Sequence, residues 1–265
     1  MKAILLAAGQ GVRLRPLTDD RPKCLVELGG LPLLDLQLAA LRGAEIEDVT
    51  LVGGYRAELL GDRGHPVVVN PEYASTNMVA SLFCARNRLR GSQDVLIAYT
   101  DIVYETRLLA ALACSTGEVS VAVDRGWRAY WEARMEDPLR DAETLKLDPT
   151  GNLRELGKKP RDHSEIEGQY IGLIKIRADR LERLCEAYDR LDREAVYDGK
   201  SFPNMFMTSF LQHLIETGWP VQAVLVEHGW LEVDTLEDLE LYGRLLAEGR
   251  LDRFYASPLL RRAAM

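Results

Sequence analysis

A short apolar run at the start of the chain limits what the chain can fold into. Residues 3–8 are all apolar, and the run stops at Gly9-Gln10-Gly11. A run this short matches a buried strand rather than a helix. Glycines at both ends of a three-residue turn let the backbone approach a ligand and leave amide N–H groups free to bind phosphate oxygens. The N-terminus therefore predicts a strand that leads into an anion-binding turn.

Helical and strand patterns alternate after this turn. The predicted helices cover residues 33–42, 76–89 and 108–113. Ser75 or Thr76 is the predicted cap of the second helix. The predicted strands cover residues 49–53, 67–70, 95–99 and 119–124. Strands that alternate with helices in this way predict a Rossmann-like, doubly wound α/β fold whose sheet is mostly parallel and has helices on both faces.

The pattern changes between residues 125 and 165. This stretch is polar and aromatic and contains one predicted hairpin, whose turn is Asp148-Pro149-Thr150-Gly151. We expect it to be a flap inserted over the sheet. The rest of the chain returns to strand and helix patterns, so the whole chain, residues 1–265, is expected to form one domain.

The C-terminal third predicts two strands, at 170–176 and 221–226, and several helices. The helix predicted at 205–217 would bury Phe206, Phe210 and Leu214. A closing helix is predicted at 236–246. The segment 251–265 is too apolar for a free tail, so we expect it to pack either on the core or on a second subunit of a homodimer.

Composition excludes several classes of function. The chain has 33 basic and 41 acidic residues, whereas nucleic-acid-binding domains usually carry a basic stripe. It contains no apolar stretch of about 18 residues, the length of a membrane span. Its four cysteines form no CxxC pair, which argues against a zinc site or a disulfide framework. We expect a cytoplasmic protein that binds neither nucleic acid nor membranes and whose basic residues bind small anions.

The first turn lacks both of the commonest phosphate-binding motifs. A P-loop requires Gly-Lys-Ser/Thr where Val12-Arg13 stand, and a dinucleotide fingerprint requires a third glycine where Leu14 stands. The pattern present is Leu-Ala-Ala-Gly-x-Gly-x-Arg-Leu-x-Pro-Leu-Thr, followed by Arg-Pro-Lys-Cys-Leu. From Leu6 to Leu25 this pattern resembles the signature of the sugar-phosphate nucleotidylyltransferases.

The resemblance implies that the loop wraps a nucleoside triphosphate. Arg13 and Lys23 match the arginine and lysine that neutralise the phosphates in that family, while Val12 replaces the usual Thr or Ser and removes one hydroxyl contact. Base contacts in the family come largely from the backbone. The nucleotide-binding residues implied in this chain are Leu6, Ala7, Ala8, Gly9, Gly11, Arg13, Lys23 and Asn77.

Two aspartates follow short apolar runs, at positions where open α/β sheets bind ligands. Asp101 follows the strand predicted at 95–99, and Asp234 precedes the helix predicted at 236–246. The spacing alone is also compatible with helix caps. Together with the signature, they resemble the family's two metal-binding aspartates, which hold Mg²⁺ at the α-phosphate. The resemblance thus makes Asp101 and Asp234, with Arg13 and Lys23, the catalytic set.

The acceptor site has weaker signals. Lys159 before Pro160 resembles the family's second lysine, which binds the acceptor's phosphate, and the adjacent Lys158 is the alternative. Gln169 and Tyr170 begin a segment that resembles the family's acceptor strand. In the flap, Trp127 and Trp131 lie among acidic residues that would surround an amine by cation–π and charge contacts. The flap also contains arginines, which would suit a carboxylate or phosphonate instead.

Residues 70–73 and 77–82 resemble the phosphocholine cytidylyltransferase branch, which includes enzymes that act on phosphonates. The resemblance implies Mg²⁺-dependent transfer of CMP from CTP to a phosphate or phosphonate acceptor, with release of pyrophosphate. Two alternatives are a sugar-1-phosphate uridylyl- or thymidylyltransferase and a catalytically silent nucleotide-binding subunit. The presence of both aspartates argues against the silent subunit. No general base is required, because a phosphate ester with a second pKa near ~6 is already ionised at neutral pH.

Overall fold

A seven-stranded sheet carries the candidate site in this computed structural model, which describes residues 1–263. The strands are β1 (Lys2–Ala7), β2 (Val49–Gly53), β3 (Val67–Val69), β4 (Val95–Tyr99), β5 (Val119–Asp124), β6 (Gln169–Ile176) and β7 (Val221–Val226). They lie in the order β7-β5-β6-β4-β1-β2-β3. All of them are parallel except β6, which is antiparallel to both of its neighbours. The predicted doubly wound, mostly parallel sheet is therefore confirmed.

Helices cover both faces of the sheet. They are α1 (Leu33–Gly43), α2 (Met78–Cys84), α3 (Thr106–Cys114), α4 (Trp127–Arg134), α5 (Leu181–Asp189), α6 (Met207–Glu216), α7 (Leu236–Ala247) and α8 (Pro258–Ala263). One apolar cluster packs α1, α3, α4 and α7 on one face, and a second packs α2, α5 and α6 on the other. β1 contributes to both because its side chains alternate: Leu5 and Ala7 join the first cluster, and Leu6 joins the second. None of the helices in the described chain has both the length and the apolar character needed to cross a membrane.

Two helix predictions are wrong in detail. The helix predicted at 76–89 begins only at Met78, because the side chain of Asn77, rather than that of Ser75 or Thr76, accepts the Met78 N–H and caps the helix. Phe206 is 37% exposed rather than buried. It precedes the first residue of α6 in extended backbone, so its side chain leaves the helical register that buries Phe210 and Leu214.

The stretch between residues 125 and 165 contains α4 and the predicted hairpin, formed by Leu145–Leu147 and Leu153–Leu156. Three aromatic side chains of α4 are buried in the apolar cluster, namely Trp127, Tyr130 and Trp131. The helix is therefore part of the core rather than a solvated lid. Three further two-stranded ladders are present, namely Glu27–Leu28 with Leu31–Pro32, Ile102–Tyr104 with Trp230–Glu232, and Val196–Tyr197 with Lys200–Ser201.

The C-terminal segment packs on the same cluster as α4. Phe254, Tyr255 and Leu260 are buried there. Residues 264–265, the end of the segment 251–265, lie outside the described residues.

A glycine in β6 provides a test of the packing around the site. Gly172 has a φ of +84°, and a Cβ there would lie 2.6 Å from the Tyr99 ring, whereas Gly151 has the same φ and no atom within 4 Å of its would-be Cβ. We expect Gly151→Ala to cost about 1–2 kcal/mol of unfolding free energy for the left-handed backbone alone. Gly172→Ala should cost about 1–3 kcal/mol more, because it also overpacks the strand.

Chemical denaturation of the two variants measures the difference. Equal losses of stability would show that Tyr99 moves aside freely and that the close packing seen here constrains nothing.

Candidate active site

A cavity of about 280 Å³ lies at the carboxyl ends of β1 and β4. The predicted nucleotide-binding residues that line it are Leu6, Ala8, Gly9, Gly11, Arg13, Lys23 and Asn77. Asp101 and Asp234 also line it. Ala7 is the exception, because alternation along β1 directs its side chain into the apolar cluster on the opposite face. Any contact of Ala7 with a ligand would have to come from its backbone.

Gly11 brings the turn against Lys23. Its φ is +65°, a left-handed conformation that favours glycine, and an added Cβ would lie 2.9 Å from the Cβ of Lys23. The backbone N–H of Lys23 also donates to the carbonyl of Gly9, at 3.5 Å. The glycine turn and Lys23 therefore form one packed unit, although thirteen residues of sequence, 10–22, run between Gly9 and Lys23.

Lys23 joins the two aspartates. Its ammonium donates to Asp101 Oδ2 at 3.0 Å and to Asp234 Oδ1 at 2.7 Å. Arg13, which is mostly exposed, forms an ion pair with the other oxygen of Asp234. Burial would lower the pKa of Lys23, but the charges of Asp101 and Asp234 outweigh it and raise the pKa. The four residues expected to act together thus meet at one point of the cavity.

The alternative role of the aspartates as helix caps does not hold in the described chain. Thr235, not Asp234, caps α7, with Asp238 completing a capping box. Asp101 is followed by the short strand Ile102–Tyr104 rather than by a helix. Neither carboxylate is therefore committed to a helix cap, and both pair with the cations of the site.

The residues present fit a divalent cation. Asp101 Oδ1 is buried and accepts no hydrogen bond from any residue in the described chain, an arrangement that is costly unless a ligand satisfies the oxygen. Residues 1–263 contain no group of three or more His, Cys, Asp or Glu side chains placed to hold a metal ion. Two carboxylates with substrate phosphate oxygens are a common ligand set for Mg²⁺, whereas structural metal sites draw more ligands from the protein.

A second cavity, of about 200 Å³, adjoins the first, and Met78 lines both. Gln169 and Tyr170, predicted to contact the acceptor, line the second cavity, as does Trp131. Six further lining side chains are acidic or aromatic, namely Tyr99, Asp141, Glu143, Phe206, Trp230 and Glu232, and the others are mostly aliphatic or methionine.

Two of the three carboxylates that line the second cavity, Glu143 and Glu232, are partly desolvated, whereas Asp141 is exposed. Burial raises the pKa of Glu143 to about 7, helped by the charges of Asp141 and Glu232. Burial also raises the pKa of Glu232, against the opposing charge of Arg134. Carboxylates that repel one another in a confined space favour a bound cation. No arginine of the described residues lines this cavity.

Two predicted acceptor residues lie outside both cavities. Trp127 is 5% exposed and packs on Trp131 and His163, so its ring belongs to the core. Lys159 is exposed, its ammonium donates to the carbonyl of Leu139, and its charge acts on Glu143.

Of the two adjacent lysines, Lys159 is the one whose charge acts on a carboxylate of the second cavity. The charge of Lys158 acts on Glu155 of the hairpin instead.

Among the residues that line the second cavity, sequence reasoning missed Trp230, Glu232 and Phe206. Alternation along an extended segment provides the signal, since Trp230, Glu232 and Asp234 share one face while Leu231 and Val233 are buried on the other. Phe206 was missed because helical periodicity assigned it to the core.

Comparison with known proteins identifies the family. Residues 3–164 match the family described as MobA-like NTP transferase domain. The chain belongs to this family. It is therefore a nucleotidyltransferase, as the sequence predicts, and members of the family generally use a divalent metal ion.

Relatives in this family include cytidylyltransferases. The chain is 42% identical over 251 residues to the CTP:phosphoglutamine cytidylyltransferase of Campylobacter jejuni, an alignment that covers 91% of this chain and 98% of the relative. It is 38% identical over 205 residues to the 2-aminoethylphosphonate cytidylyltransferase of Lancefieldella rimae, covering 74% and 76%. The structure of the CTP:phosphocholine cytidylyltransferase from Streptococcus pneumoniae shares the fold, with a TM-score of 0.68 at 21% identity over 92% of this chain and 98% of that one.

The two aspartates provide the direct test of the site. We expect Asp101→Asn and Asp234→Asn each to lower the turnover number on the order of 10²–10³-fold, the loss typical when one preorganised electrostatic group leaves an active site. Affinity for the nucleoside triphosphate should change much less, because Arg13 and Lys23 remain. Pyrophosphate release and equilibrium nucleotide binding measure the two quantities.

The matched control is Asp252→Asn, which removes a carboxylate from an exposed ion pair with Arg261. If the control loses as much turnover as the site variants, or if the site variants retain full turnover, the assignment of the site is wrong.

Proposed function

We propose that this protein transfers CMP from CTP to the phosphate or phosphonate group of a small acceptor that also carries a positively charged nitrogen, and that pyrophosphate is released. The observation that carries the proposal is the cluster of Lys23, Asp101 and Asp234 beside two adjoining cavities. The similarity along nearly the whole chain to a CTP:phosphoglutamine cytidylyltransferase supports CTP as the donor. It also makes phosphoglutamine the first acceptor to test.

The first cavity suits the triphosphate. Amide groups of the glycine turn and the charges of Arg13 and Lys23 would hold its phosphates, and Asp101 and Asp234 would hold Mg²⁺. Bound there, Mg²⁺ would offset the negative charge that develops at the α-phosphate during in-line attack. An acceptor oxygen forms the new bond to the α-phosphorus, and the bond between the α-phosphorus and the bridging oxygen breaks as pyrophosphate leaves. The acceptor oxygen is already ionised, so no protein base takes a proton.

The second cavity suits a charged nitrogen. Its wall combines the carboxylates of Glu143 and Glu232 with the rings of Trp131, Trp230 and Phe206. Carboxylates and aromatic faces both attract ammonium groups, and desolvation strengthens the attraction. This composition favours the amine-bearing acceptor over the carboxylate that flap arginines would have suited. Lys159 lies outside both cavities, so the contact with the acceptor's phosphate that the resemblance implies would require its ammonium to leave the carbonyl of Leu139.

One assay separates the candidate reactions. CTP, UTP, dTTP and GTP are each combined with phosphoglutamine, phosphocholine, 2-aminoethylphosphonate and glucose 1-phosphate, and pyrophosphate release is measured with Mg²⁺. We expect turnover with CTP and one or more of the three nitrogen-bearing acceptors, and none for Asp101→Asn. Turnover with UTP or dTTP and glucose 1-phosphate would instead make the protein a sugar-1-phosphate nucleotidylyltransferase. Nucleotide binding without turnover would indicate a silent subunit.

Glu143 should give acceptor binding a pH dependence. Burial raises its pKa to about 7, so the side chain is ionised above that pH and neutral below it. Since the ionised form attracts the charged nitrogen, KM for the acceptor should rise about fourfold between pH 8 and pH 6.5, in proportion to the lost ionised fraction. Steady-state kinetics at saturating CTP measures this change.

Glu143→Gln is the control, because the acceptor's own phosphate also titrates near ~6. The variant should have a higher KM at pH 8 and a flatter pH profile. A profile identical in shape to that of the unmodified protein would assign the whole effect to the acceptor and contradict a role for Glu143.

A further inference from the structure

Arg134 lies in α4 and contacts two carboxylates beside the candidate site. Its side chain is only 4% exposed. The guanidinium donates to Glu232 Oε2 at 2.7 Å through Nη1, and to Asp238 Oδ1 at 2.9 Å and Oδ2 at 3.2 Å through Nε and Nη2. The contact with Asp238 is bidentate, a geometry that the planar guanidinium provides and a lysine ammonium does not.

Asp238 links Arg134 to the backbone of Asp234. Its Oδ2 accepts the N–H of Asp234 at 2.9 Å and the N–H of Thr235 at 3.0 Å. The same oxygen is one of the two that Arg134 holds. The orientation of the Asp238 carboxylate, fixed by Arg134, therefore sets where the backbone at Asp234 lies.

The segment before Asp234 is held from the same two helices. The N–H of Glu232 donates to the Tyr130 hydroxyl of α4 at 2.7 Å, and the carbonyl of Glu232 accepts from the Tyr242 hydroxyl of α7 at 2.7 Å. Residues 232 to 234 are thus fixed at both ends. Arg134 contacts the side chain of Glu232 at one end, and it contacts Asp238, which binds the backbone of Asp234, at the other. Burying the guanidinium and the Asp238 carboxylate is costly unless their contacts satisfy both groups, as they do here, whereas the Glu232 side chain is partly exposed.

We propose that Arg134 is a positioning residue that holds Asp234 in place for the divalent cation by acting through Asp238 and Glu232. This inference rests on the proposed function, since it concerns the metal-binding role of Asp234. A purely structural Arg134 would stabilise the fold without changing how the site binds a metal ion. Loss of the guanidinium would leave the buried Asp238 and the partly buried Glu232 without their counter-charge and Asp234 free to shift from Asp101.

The test compares Arg134→Lys with Arg128→Lys. Arg128 is on the same helix, but it is exposed and pairs only with Glu132, one turn away. Binding of Mn²⁺ to the protein with CTP is measured from the electron paramagnetic resonance signal of the free ion. We expect the dissociation constant of Mn²⁺ to rise on the order of 10–100-fold in Arg134→Lys, the range seen when groups that orient metal ligands are changed. Arg128→Lys should leave it unchanged.

Kinetics gives the second readout. In Arg134→Lys, the turnover number at limiting Mg²⁺ should fall and recover in part at high Mg²⁺, while KM for CTP changes less than about twofold because Arg13 and Lys23 are untouched. Asp238→Asn keeps Arg134 but weakens the same link, so it should raise the Mn²⁺ dissociation constant in the same direction. It serves as the test if Arg134→Lys does not fold, as judged by circular dichroism.

The outcomes separate this inference from the proposed function. If folded Arg134→Lys or Asp238→Asn binds Mn²⁺ as tightly as the unmodified protein, the positioning role is overturned, whatever the reaction. If Mn²⁺ binding weakens as expected but the unmodified protein transfers no CMP to any acceptor, the positioning role stands and the proposed function fails.

Discussion

The ammonium of Lys23 is the contact on which the candidate site depends. It lies within 3.0 Å of one oxygen from each of Asp101 and Asp234, two carboxylates that would repel one another in this partly buried place without it. The same side chain packs against Gly11, so it also ties the glycine turn to the carboxylates. In the proposed function, phosphate oxygens would compete with the carboxylates for Lys23, and a divalent cation would compete with Lys23 for the carboxylates. Binding of the triphosphate and of the cation would therefore rearrange this one contact.

The fold brings these groups together by simple means. Parallel strands end at the same edge of the sheet, so the turn after β1 and Asp101 after β4 face one cavity. Asp234 lies two residues after the short strand Trp230–Glu232, which pairs with Ile102–Tyr104. The inserted stretch contributes not a loose cover but a buried helix, and its side chains pack around that segment. The second cavity is thus built on the core, which explains why Glu143 and Glu232 in its wall are partly desolvated.

Much of the sheet could be predicted from the sequence, and the rest could not, for identifiable reasons. β2, β4, β5 and β7 begin and end where short apolar runs do. The first three are almost wholly buried, so few polar positions blur their limits. The start of α2 was misplaced because several capping residues stand in a row. The hydroxyls of Ser75 and Thr76 donate to the carbonyl of Glu72, and Asn77 caps the helix. Trp127 and Glu232 show how far the site residues could be predicted from the sequence. A tryptophan can contact an ammonium group or pack in the core, and the sequence does not distinguish the two. Glu232 lies in a short strand and belongs to no recognisable motif.

The most direct test of the role proposed for Asp101, Asp234 and Lys23 is a crystal structure with CTP and Mn²⁺, in which anomalous scattering locates the metal. We expect a manganese peak that Asp101 and Asp234 share, with the Lys23 ammonium moved from the carboxylates to the phosphates. A manganese ion bound away from these two residues, or a Lys23 that still bridges both carboxylates beside bound CTP, would contradict it.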